Sequence, residues 1–411
     1  MRWKEIKPPG EKKARVRAIL LLSGGLDSVL AGKILEEQGI EIVGLTFTSL
    51  FFGSREARKA SEEQGWPLVL VDITEEEIQI LEKPKYGYGR NMNPCLDCHG
   101  QMVRIAGQLL DRYQADFVAT GEVLGERPKS QSRPGLNIVE KLGELRGLVL
   151  RPLSAKLLPA TRVEENGLVD REKLLDISGR SRKRQLELAA KYGLKEYPTP
   201  AGGCLLTDPG FSERLKNLLK WRGRLLAEDI SLIKIGRVSF EQEALLVIGR
   251  NELENEKLKR QALPDDVIIA NAEVVGPLTV VRLKMTGPRD KTAERKALSE
   301  DFEMFIDELY GADSRQKKDE GSKSPGDENP EKTGLSQKGA GEEGNLREGS
   351  DGEGKENQLD SILEKPAIRK AALLTIRYSK ARTAEKARII FSWLGQKREM
   401  EFRKEEWEGY L

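Results

Sequence analysis

The hexapeptide SGGLDS at residues 23–28 constrains the fold of this chain more than any other feature. It follows an apolar run, 16–22, that is typical of a buried parallel strand, and it precedes residues 28–38, whose apolar side chains recur at helical spacing. Glycine lets a backbone approach phosphate oxygens closely, and the free N–H groups at a helix start attract anions. The pattern therefore predicts a phosphate-binding turn between a strand and a helix.

Strands and helices alternate after this turn. Further strands are predicted at 42–47, 68–73 and 117–120, with helices at 55–64 and 98–112. This alternation predicts an α/β fold with a parallel, doubly wound sheet. Ligands of such sheets bind beyond the carboxyl ends of the strands, where the SGGLDS turn lies.

The texture of the sequence changes after residue 210, and we therefore predict an ATP-binding domain over 1–210. A helix at 211–226 and short strands at 232–235, 244–248, 267–269 and 278–283 indicate that 211–311 begin a smaller α+β domain. Residues 312–364 carry 14 acidic and 8 basic residues and almost no apolar ones, which predicts a disordered insertion. Residues 365–411 hold 12 basic and 6 acidic residues, and they are predicted to complete the second domain with a helix at 368–378 and strands at 387–393 and 399–402.

Whole-chain composition says little about partners. The net charge of the 411 residues is only +2, so any basic surface for nucleic acid must be local. No apolar run approaches the ~20 residues that span a bilayer, and no signal peptide precedes the first strand, so we expect a cytoplasmic protein without membrane contact.

The SGGLDS turn is not the GxxxxGK[ST] phosphate loop, since no lysine ends it. Its serines can donate hydroxyl hydrogen bonds to phosphates. Asp27 would repel a phosphate, so its natural role is to hold Mg²⁺ beside a pyrophosphate leaving group. An ordinary glycine turn capped by Asp or Ser is the alternative. The residues predicted to bind nucleotide here are Ser23, Gly24, Gly25, Leu26, Asp27 and Ser28.

The chain has three cysteines: Cys95, Cys98 and Cys204. A small and odd number of cysteines does not indicate a disulfide framework. The first two form a CxxC at a predicted helix start, where the helix dipole is expected to lower a thiol pKa. Three thiolates suit a [4Fe–4S] cluster with one iron left open, or a persulfide-carrying cysteine with a partner. Zinc with His99 as fourth ligand is less favoured, because adjacent residues rarely reach one metal.

Four segments, NPCLDCH, FVATGE, RPLSAKLL and GGCLLTD, together with SGGLDS, make residues 15–210 resemble the PP-loop ATP pyrophosphatase superfamily and, within it, the tRNA thiouridine synthetases of the MnmA and ThiI types. The resemblance implies ATP-dependent adenylation of a uridine carbonyl, after which sulfur displaces AMP. It implies tRNA and a sulfur donor (sulfide, a cysteine desulfurase or a sulfur carrier) as partners, and it is compatible with a homodimer. The cysteines fit the iron–sulfur version of the family as catalytic residues and cluster ligands, with Asp27 also catalytic.

The resemblance adds further site residues. Glu122 stands where many 2-thiouridylases carry His, which leaves the modified uridine open. The basic residues opening the helix after 180 are predicted phosphate contacts, with a solvated helix start as the alternative. The residues added to the nucleotide site are Thr46, Thr120, Gly121 and Lys183, and those expected to contact RNA are Arg180, Arg182 and Arg184.

The second domain resembles the NFACT-R RNA-binding domain in three segments: IGRNELEN at 248–255, Gly276-Pro277 and SKAR at 379–382. On this resemblance, residues 312–364 interrupt a single domain. Arg250, Lys380 and Arg382 are predicted RNA contacts, whereas a charged surface on a small stabilising domain is the alternative.

Three functions remain in competition. The favoured one is an ATP-dependent tRNA sulfurtransferase making 2-thiouridine or 4-thiouridine. The others are ATP-dependent sulfur or amide transfer to a small molecule, and a non-catalytic RNA-binding protein that senses nucleotide.

Overall fold

Two units make up the chain, Met1–Ser231 and Leu232–Leu411. They are seen in a computed structural model that describes residues 2–195, 197, 204–284, 352–394 and 396–408. The predicted boundary at residue 210 precedes this division, because the helix Pro209–Arg222 packs within the first unit, where the ring of Phe211 lies 6.0 Å from that of Phe51.

The first unit is built on a six-stranded sheet in which only one edge strand is antiparallel. The strand order is β1-β4-β3-β2-β5-β6, and β1 pairs antiparallel with β4. The parallel sheet that the sequence predicts is therefore confirmed. The strands are β1 (Arg2–Lys7), β2 (Arg17–Leu21), β3 (Glu41–Thr48), β4 (Leu68–Asp72), β5 (Phe117–Thr120) and β6 (Val149–Leu150).

Alternate residues of the central strands face two separate cores. Ala18 and Leu20 belong to one buried cluster, whereas Ile19 of the same strand belongs to another, with Val43 and Val118. Because successive side chains of a strand point to opposite faces, this division requires helices on both sides of the sheet. The helices are α1 (Leu26–Glu36), α2 (Arg55–Gln64), α3 (Thr74–Glu82), α4 (Cys95–Gln108), α5 (Arg133–Gly143), α6 (Arg162–Glu165), α7 (Lys183–Lys191), α8 (Pro209–Arg222) and α9 (Ala227–Ile233).

The strand order reverses at β2. From β2 the chain proceeds to β3 and β4 on one side, and it then returns to β5 on the other side. The turn after β2 and the segment after β5 therefore leave the sheet side by side at a topological switch point, the place where open α/β sheets bind ligands. The SGGLDS turn is the first of these two segments.

The second unit contains a six-stranded antiparallel sheet in the order β12-β11-β9-β10-β8-β7. Ile368 and Ile376 on one helix pack against Leu246, Ile269 and Ile389 of this sheet. The strands are β7 (Arg237–Phe240), β8 (Ala244–Ile248), β9 (Val267–Asn271), β10 (Thr279–Leu283), β11 (Lys386–Trp393) and β12 (Gln396–Arg403), and the helices are α10 (Glu252–Gln261), α11 (Gly352–Leu363), α12 (Pro366–Arg377) and α13 (Lys404–Glu408).

The strand predicted at 232–235 is wrong. Helix α9 continues to Ile233, and β7 starts only at Arg237. Gly236 separates them with φ +57°, and a Cβ there would lie 2.2 Å from the carbonyl oxygen of Ile248. The apolar residues at 232–235 are thus buried at a helix end and a turn rather than in a strand.

Helix α11 lies within the segment predicted to be disordered. Its Leu359 is fully buried, and Ile362 packs against the core of the second unit. Residues 285–351, which hold the rest of that segment, are outside the described residues. None of the described helices is both long and apolar enough to cross a membrane.

Candidate active site

The SGGLDS turn is braced by its own hydrogen bonds. The Gly25 N–H donates to Ser23 Oγ at 3.2 Å, and the hydroxyl of Ser28 donates to the Gly25 carbonyl at 2.8 Å. Gly25 has an extended backbone and directly precedes the first residue of α1. The turn is therefore held in shape by the chain alone, with a helix start at its end as the sequence predicts.

Two glycines fix the position of this turn because backbone passes where a side chain would be. A Cβ on Gly24, whose φ is +79°, would lie 2.2 Å from the carbonyl carbon of Glu56. A Cβ on Gly121, after β5, would lie 2.5 Å from the Ser28 nitrogen. Helix α2 and the segment after β5 thus both touch the turn, and only glycine fits at these contacts.

Asp27 has a carboxylate oxygen that nothing described in the structure satisfies. Its Oδ1 is buried without a hydrogen-bond partner. Burial raises the pKa of Asp27, and the positive charges of Arg182 and Arg127 oppose that rise. An acidic group left in this state is ready for a cation or a donor from a ligand.

Glu126 is a second carboxylate at the same place. Burial raises the pKa of Glu126, and the nearby negative charge of Asp27 raises it further. Its backbone is fixed by a hydrogen bond from Glu126 N to the Val123 carbonyl at 3.1 Å. Two carboxylates that repel each other beside a phosphate turn suit Mg²⁺, which binds one or two carboxylates together with substrate phosphates.

The four basic residues at 180 and 182–184 lie in different surroundings. Arg182 acts on Asp27, and its Nε is buried without a partner in the described part of the chain. Arg184 instead pairs with Asp176 at 2.6 Å, while Lys183 and Arg180 are exposed. Of the four predicted phosphate contacts, Arg182 is therefore the one placed at the nucleotide turn.

The hydroxyls of Thr46 and Thr120 are both buried and engaged within the protein. Thr46 donates to the Leu22 carbonyl at 2.6 Å, and Thr120 Oγ1 lies 3.2 Å from Glu122 Oε2. These two predicted nucleotide contacts thus brace the ends of β2 and β5 in this structure.

Glu122 is the centre of a buried ionic network. Its carboxylate lies 3.0 Å from Arg151 Nε and 3.2 Å from His99 Nδ1. Burial alone would raise the pKa of Glu122, but the Arg151 charge and His99 outweigh it and lower the pKa to about 2. Arg151 also pairs with Glu140 at 2.5 Å. The network therefore connects the end of β5 to His99, the residue after Cys98.

The three cysteines gather in one region of the first unit. Both Cys95 and Cys204 lie close enough to Cys98 to raise its pKa, although burial is the largest cause. All three are free, and burial raises the pKa of Cys204 to about 12. The expectation that the helix start lowers the pKa of the CxxC thiols is wrong, because burial outweighs the dipole and raises the pKa of Cys95 and Cys98.

Glu77 of α3 is buried among these thiols. Cys98 Sγ lies 3.8 Å from its Oε1, and its Oε2 has no partner among the described groups. Burial raises the pKa of Glu77 to about 7. A carboxyl and three thiols form a donor set rich in soft sulfur, which is the type of set that iron and zinc prefer.

A single metal ion does not fit the cysteines as they stand. Among the described residues, no three His, Cys, Asp or Glu side chains are grouped to hold one ion. A tetrahedral zinc site would need its sulfurs about 3.8 Å apart, as follows from a Zn–S distance of about 2.3 Å. An iron–sulfur cluster accepts wider spacing because each cysteine binds a different iron. The described side chains are therefore not grouped around the position of one ion, and whether they hold zinc or a cluster stays a prediction.

Arg127 lies between the two groups of residues. Its charge opposes the burial-driven rise in pKa at both Asp27 and Cys95. Its own neighbours extend both ways: Glu126 faces Asp27, and Lys129 Nζ donates to the carbonyl of Tyr88 at 3.0 Å. The segment after β5 thus connects the nucleotide turn to the thiols, with an exposed guanidinium between them.

Sequence reasoning missed Glu77, Glu126, Arg127 and Gln185. Gln185 is fully buried, and its side chain acts on Asp27, whose pKa it lowers. The rule that ligands bind beyond the carboxyl ends of parallel strands could have identified Glu126 and Arg127, because they lie in the segment that follows β5. The two glycines of the GGCLLTD segment, which precede Cys204, lie outside the described residues.

Part of the first unit is similar in sequence to known proteins. Residues 14–156 match the family model described as thiamine biosynthesis protein (ThiI). The tRNA-specific 2-thiouridylase MnmA of Deinococcus radiodurans is 30% identical over 139 residues, which cover 28% of this chain and 36% of that protein. MnmA of Syntrophotalea carbinolica is 34% identical over 128 residues, covering 27% and 35%. The chain thus spans about a third of the length of the curated relatives it matches.

One solved structure adds little to this similarity. The U34-tRNA thiolase NcsA of Methanococcus maripaludis, with its [4Fe-4S] cluster, gives a TM-score of 0.28 at 22% identity, over 51% of this chain and 68% of that chain. A likeness of this size shows neither a shared fold nor a shared cluster. The similarity to thiouridine synthetases is confirmed by the family and sequence matches, within residues 14–156, and the NFACT-R resemblance of the second unit stays a prediction.

Proposed function

We propose that this chain is an ATP-dependent tRNA sulfurtransferase that replaces a uridine carbonyl oxygen with sulfur. The observation that carries the proposal is the convergence of two groups in one unit: a glycine turn with the unpaired Asp27, and three thiols gathered around Cys98. Arg127 lies between them. Nucleotide activation and sulfur delivery are the two chemistries that these groups support.

In the first half of the reaction, the uridine oxygen bonds to the α-phosphorus of ATP and pyrophosphate leaves. The turn 23–28 and the start of α1 would hold the phosphates through backbone N–H groups. Asp27, with Glu126 beside it, would hold Mg²⁺, which neutralises charge on the departing pyrophosphate. Arg182 is placed to contact a phosphate oxygen, because its charge already reaches Asp27.

In the second half, a sulfur nucleophile bonds to the uridine carbon, the carbon–oxygen bond breaks and AMP leaves. Arg127 would stabilise the AMP phosphate as it departs, since it lies toward both Asp27 and Cys95. Cys98 is buried, and a buried site there would exclude the water that otherwise hydrolyses the adenylated uridine.

Cys95, Cys98 and Cys204 would hold a [4Fe–4S] cluster, which when bound supplies an open iron for sulfide. The donor set supports this assignment because three sulfur ligands suit iron, and binding would release the protons that burial otherwise keeps on these thiols. A brown protein with broad visible absorption after anaerobic purification is the expected result. A colourless protein containing stoichiometric zinc would contradict the assignment.

Pyrophosphate release, assayed with and without tRNA, tests the proposed function. We expect release that depends on tRNA and yields AMP. Pyrophosphate release that depends on a small-molecule acceptor instead of tRNA would show that the substrate is that small molecule. Binding of tRNA with no release under any condition would identify a nucleotide-sensing RNA-binding protein and contradict catalysis.

A further inference from the structure

Three motifs that are far apart in the sequence meet on one face of the second unit. Asn255 Nδ2 donates to the Gly276 carbonyl at 3.1 Å, which joins segment 248–255 to Gly276. A Cβ on Gly276 would lie 2.9 Å from that of Ser379, which joins it to segment 379–382. Residues separated by more than a hundred positions are thus in contact, and Tyr378 stands at their junction.

Tyr378 is a partly exposed aromatic residue that is flanked by arginines. Its exposed fraction is 39%, and the guanidinium carbon of Arg237 lies 4.3 Å from the ring centroid. That of Arg377 lies 5.6 Å away. Arginine stacked on a tyrosine holds the ring in place while leaving part of its surface open, so the ring is already ordered before any ligand binds.

The cations around Tyr378 differ in how far they are neutralised. Arg250 is bound to Glu254 through several hydrogen bonds, which lower the pKa of Glu254. Arg237, Lys380 and Arg382 are exposed and form no ion pair with any described residue, although the charge of Arg237 also lowers the pKa of Glu254. Lys380 and Arg382, in the segment that follows Tyr378, are therefore the cations of this group that have no acidic partner among the described residues.

We propose that Tyr378, supported by Arg237, is a stacking site for an unpaired base of RNA, with Arg237, Lys380 and Arg382 contacting the neighbouring phosphates. An aromatic ring beside cations matches a nucleotide, because the base offers a π-face and the backbone offers negative charge. An apolar protein surface would offer no negative charge to the cations, and an acidic peptide would offer no π-face to the ring. The site rests on the proposed function, since it gives the tRNA substrate a second point of attachment.

Affinity of the full chain for an unmodified tRNA transcript, measured without ATP by fluorescence anisotropy, tests this site. Tyr378→Ala should weaken binding about tenfold, since stacking one base contributes about 1–3 kcal/mol, and Tyr378→Phe should retain it. Lys380→Ala should weaken binding and reduce the slope of log affinity against log salt by about one, whereas Tyr378→Ala should leave the slope unchanged. Thermal unfolding of each variant shows that the unit still folds.

Trp3→Ala is a matched control, because Trp3 is 43% exposed with Arg112 at 5.0 Å but lies in the first unit. Its tRNA affinity should equal that of the wild type. An unchanged affinity in Tyr378→Ala, or an equal loss in Trp3→Ala, would overturn the stacking site and leave the face to a protein partner. If the wild type thiolates tRNA, the proposed function stands even when the stacking site is overturned. If Tyr378→Ala loses tRNA affinity but the wild type thiolates no tRNA, the stacking site stands and the proposed function fails.

Discussion

At the scale of single residues, the charged form of Asp27 suits cation binding but lowers the stability of the fold. Its buried Oδ1 has no partner in the described structure, and burial raises its pKa. The charged form therefore costs the folded state free energy, which a bound cation would recover. A residue that only maintained the fold would be paired, as Asp176 is with Arg184.

Asp27→Asn should lower tRNA-dependent pyrophosphate release about a hundredfold, in line with the loss of one preorganised electrostatic group. Its melting temperature should equal or exceed that of the wild type, because burial already disfavours the charged carboxylate and its Oδ1 has no hydrogen-bond partner among the described residues. The matched change Asp176→Asn should leave release unaffected. Asp27→Asn with normal release would remove this carboxylate from the mechanism.

The pKa of Glu122 is lowered, in contrast to that of Asp27, because Glu122 is paired with Arg151 and His99. Its folded pKa of about 2 lies below the ordinary value of 4.5. The pairing therefore contributes stability that is present above about pH 4.5 and is lost as the pH falls toward 2. Glu122→Gln leaves Arg151 buried with one carboxylate fewer, which should cost about 3–5 kcal/mol at neutral pH.

The pH dependence of the Glu122 contribution is measured by urea unfolding of the wild type and Glu122→Gln at pH 7 and at pH 3. The difference in unfolding free energy should narrow at pH 3, because the unfolded carboxyl, with its ordinary pKa of 4.5, is protonated there while the folded carboxylate is still ionised. Glu144→Gln, which changes an exposed carboxylate paired with Arg104, should alter stability by under about 1 kcal/mol at either pH. A difference that stays constant with pH would mean that Glu122 does not titrate as described.

At the scale of elements, the nucleotide turn depends on contacts that a sequence pattern only partly conveys. The strand, the turn and the start of α1 could be predicted, because apolar periodicity and glycine placement are local properties. The contact of Gly24 with α2 could not, since it joins segments about thirty residues apart. The edge strand β1 was also missed, because its polar sequence becomes a strand only by pairing with β4.

Gly24→Ala and Gly39→Ala form a matched pair, because their φ angles are +79° and +77°. Both place alanine in the left-handed region, at a cost of about 1–2 kcal/mol. Only Gly24 has backbone within 2.2 Å of the new Cβ, whereas nothing lies within 4 Å at Gly39. Gly24→Ala should therefore lose ATP binding by calorimetry and melt lower, while Gly39→Ala should bind ATP normally. Equal binding by both variants would show that the α2 contact does not fix the turn.

At the scale of the whole molecule, each unit brings distant segments together. In the second unit, β11 lies beside β9, so strands on both sides of residues 285–351 share one sheet. In the first, Cys204 reaches the CxxC at 95–98. Sequence reasoning could name these cysteines, since their motifs are recognisable, but it could not find Glu77, which matters only through its position in the fold.

The most direct test of the central claim is mass spectrometry of nucleosides from tRNA incubated with the anaerobically purified protein, ATP, Mg²⁺ and sulfide. The wild type should yield a uridine with sulfur in place of oxygen, together with equal amounts of AMP and pyrophosphate. Cys204→Ala should release pyrophosphate but form no thiolated nucleoside, because activation and sulfur delivery use different groups. Normal thiolation by Cys204→Ala, or wild-type AMP and pyrophosphate without sulfur in the tRNA, would contradict the proposed function.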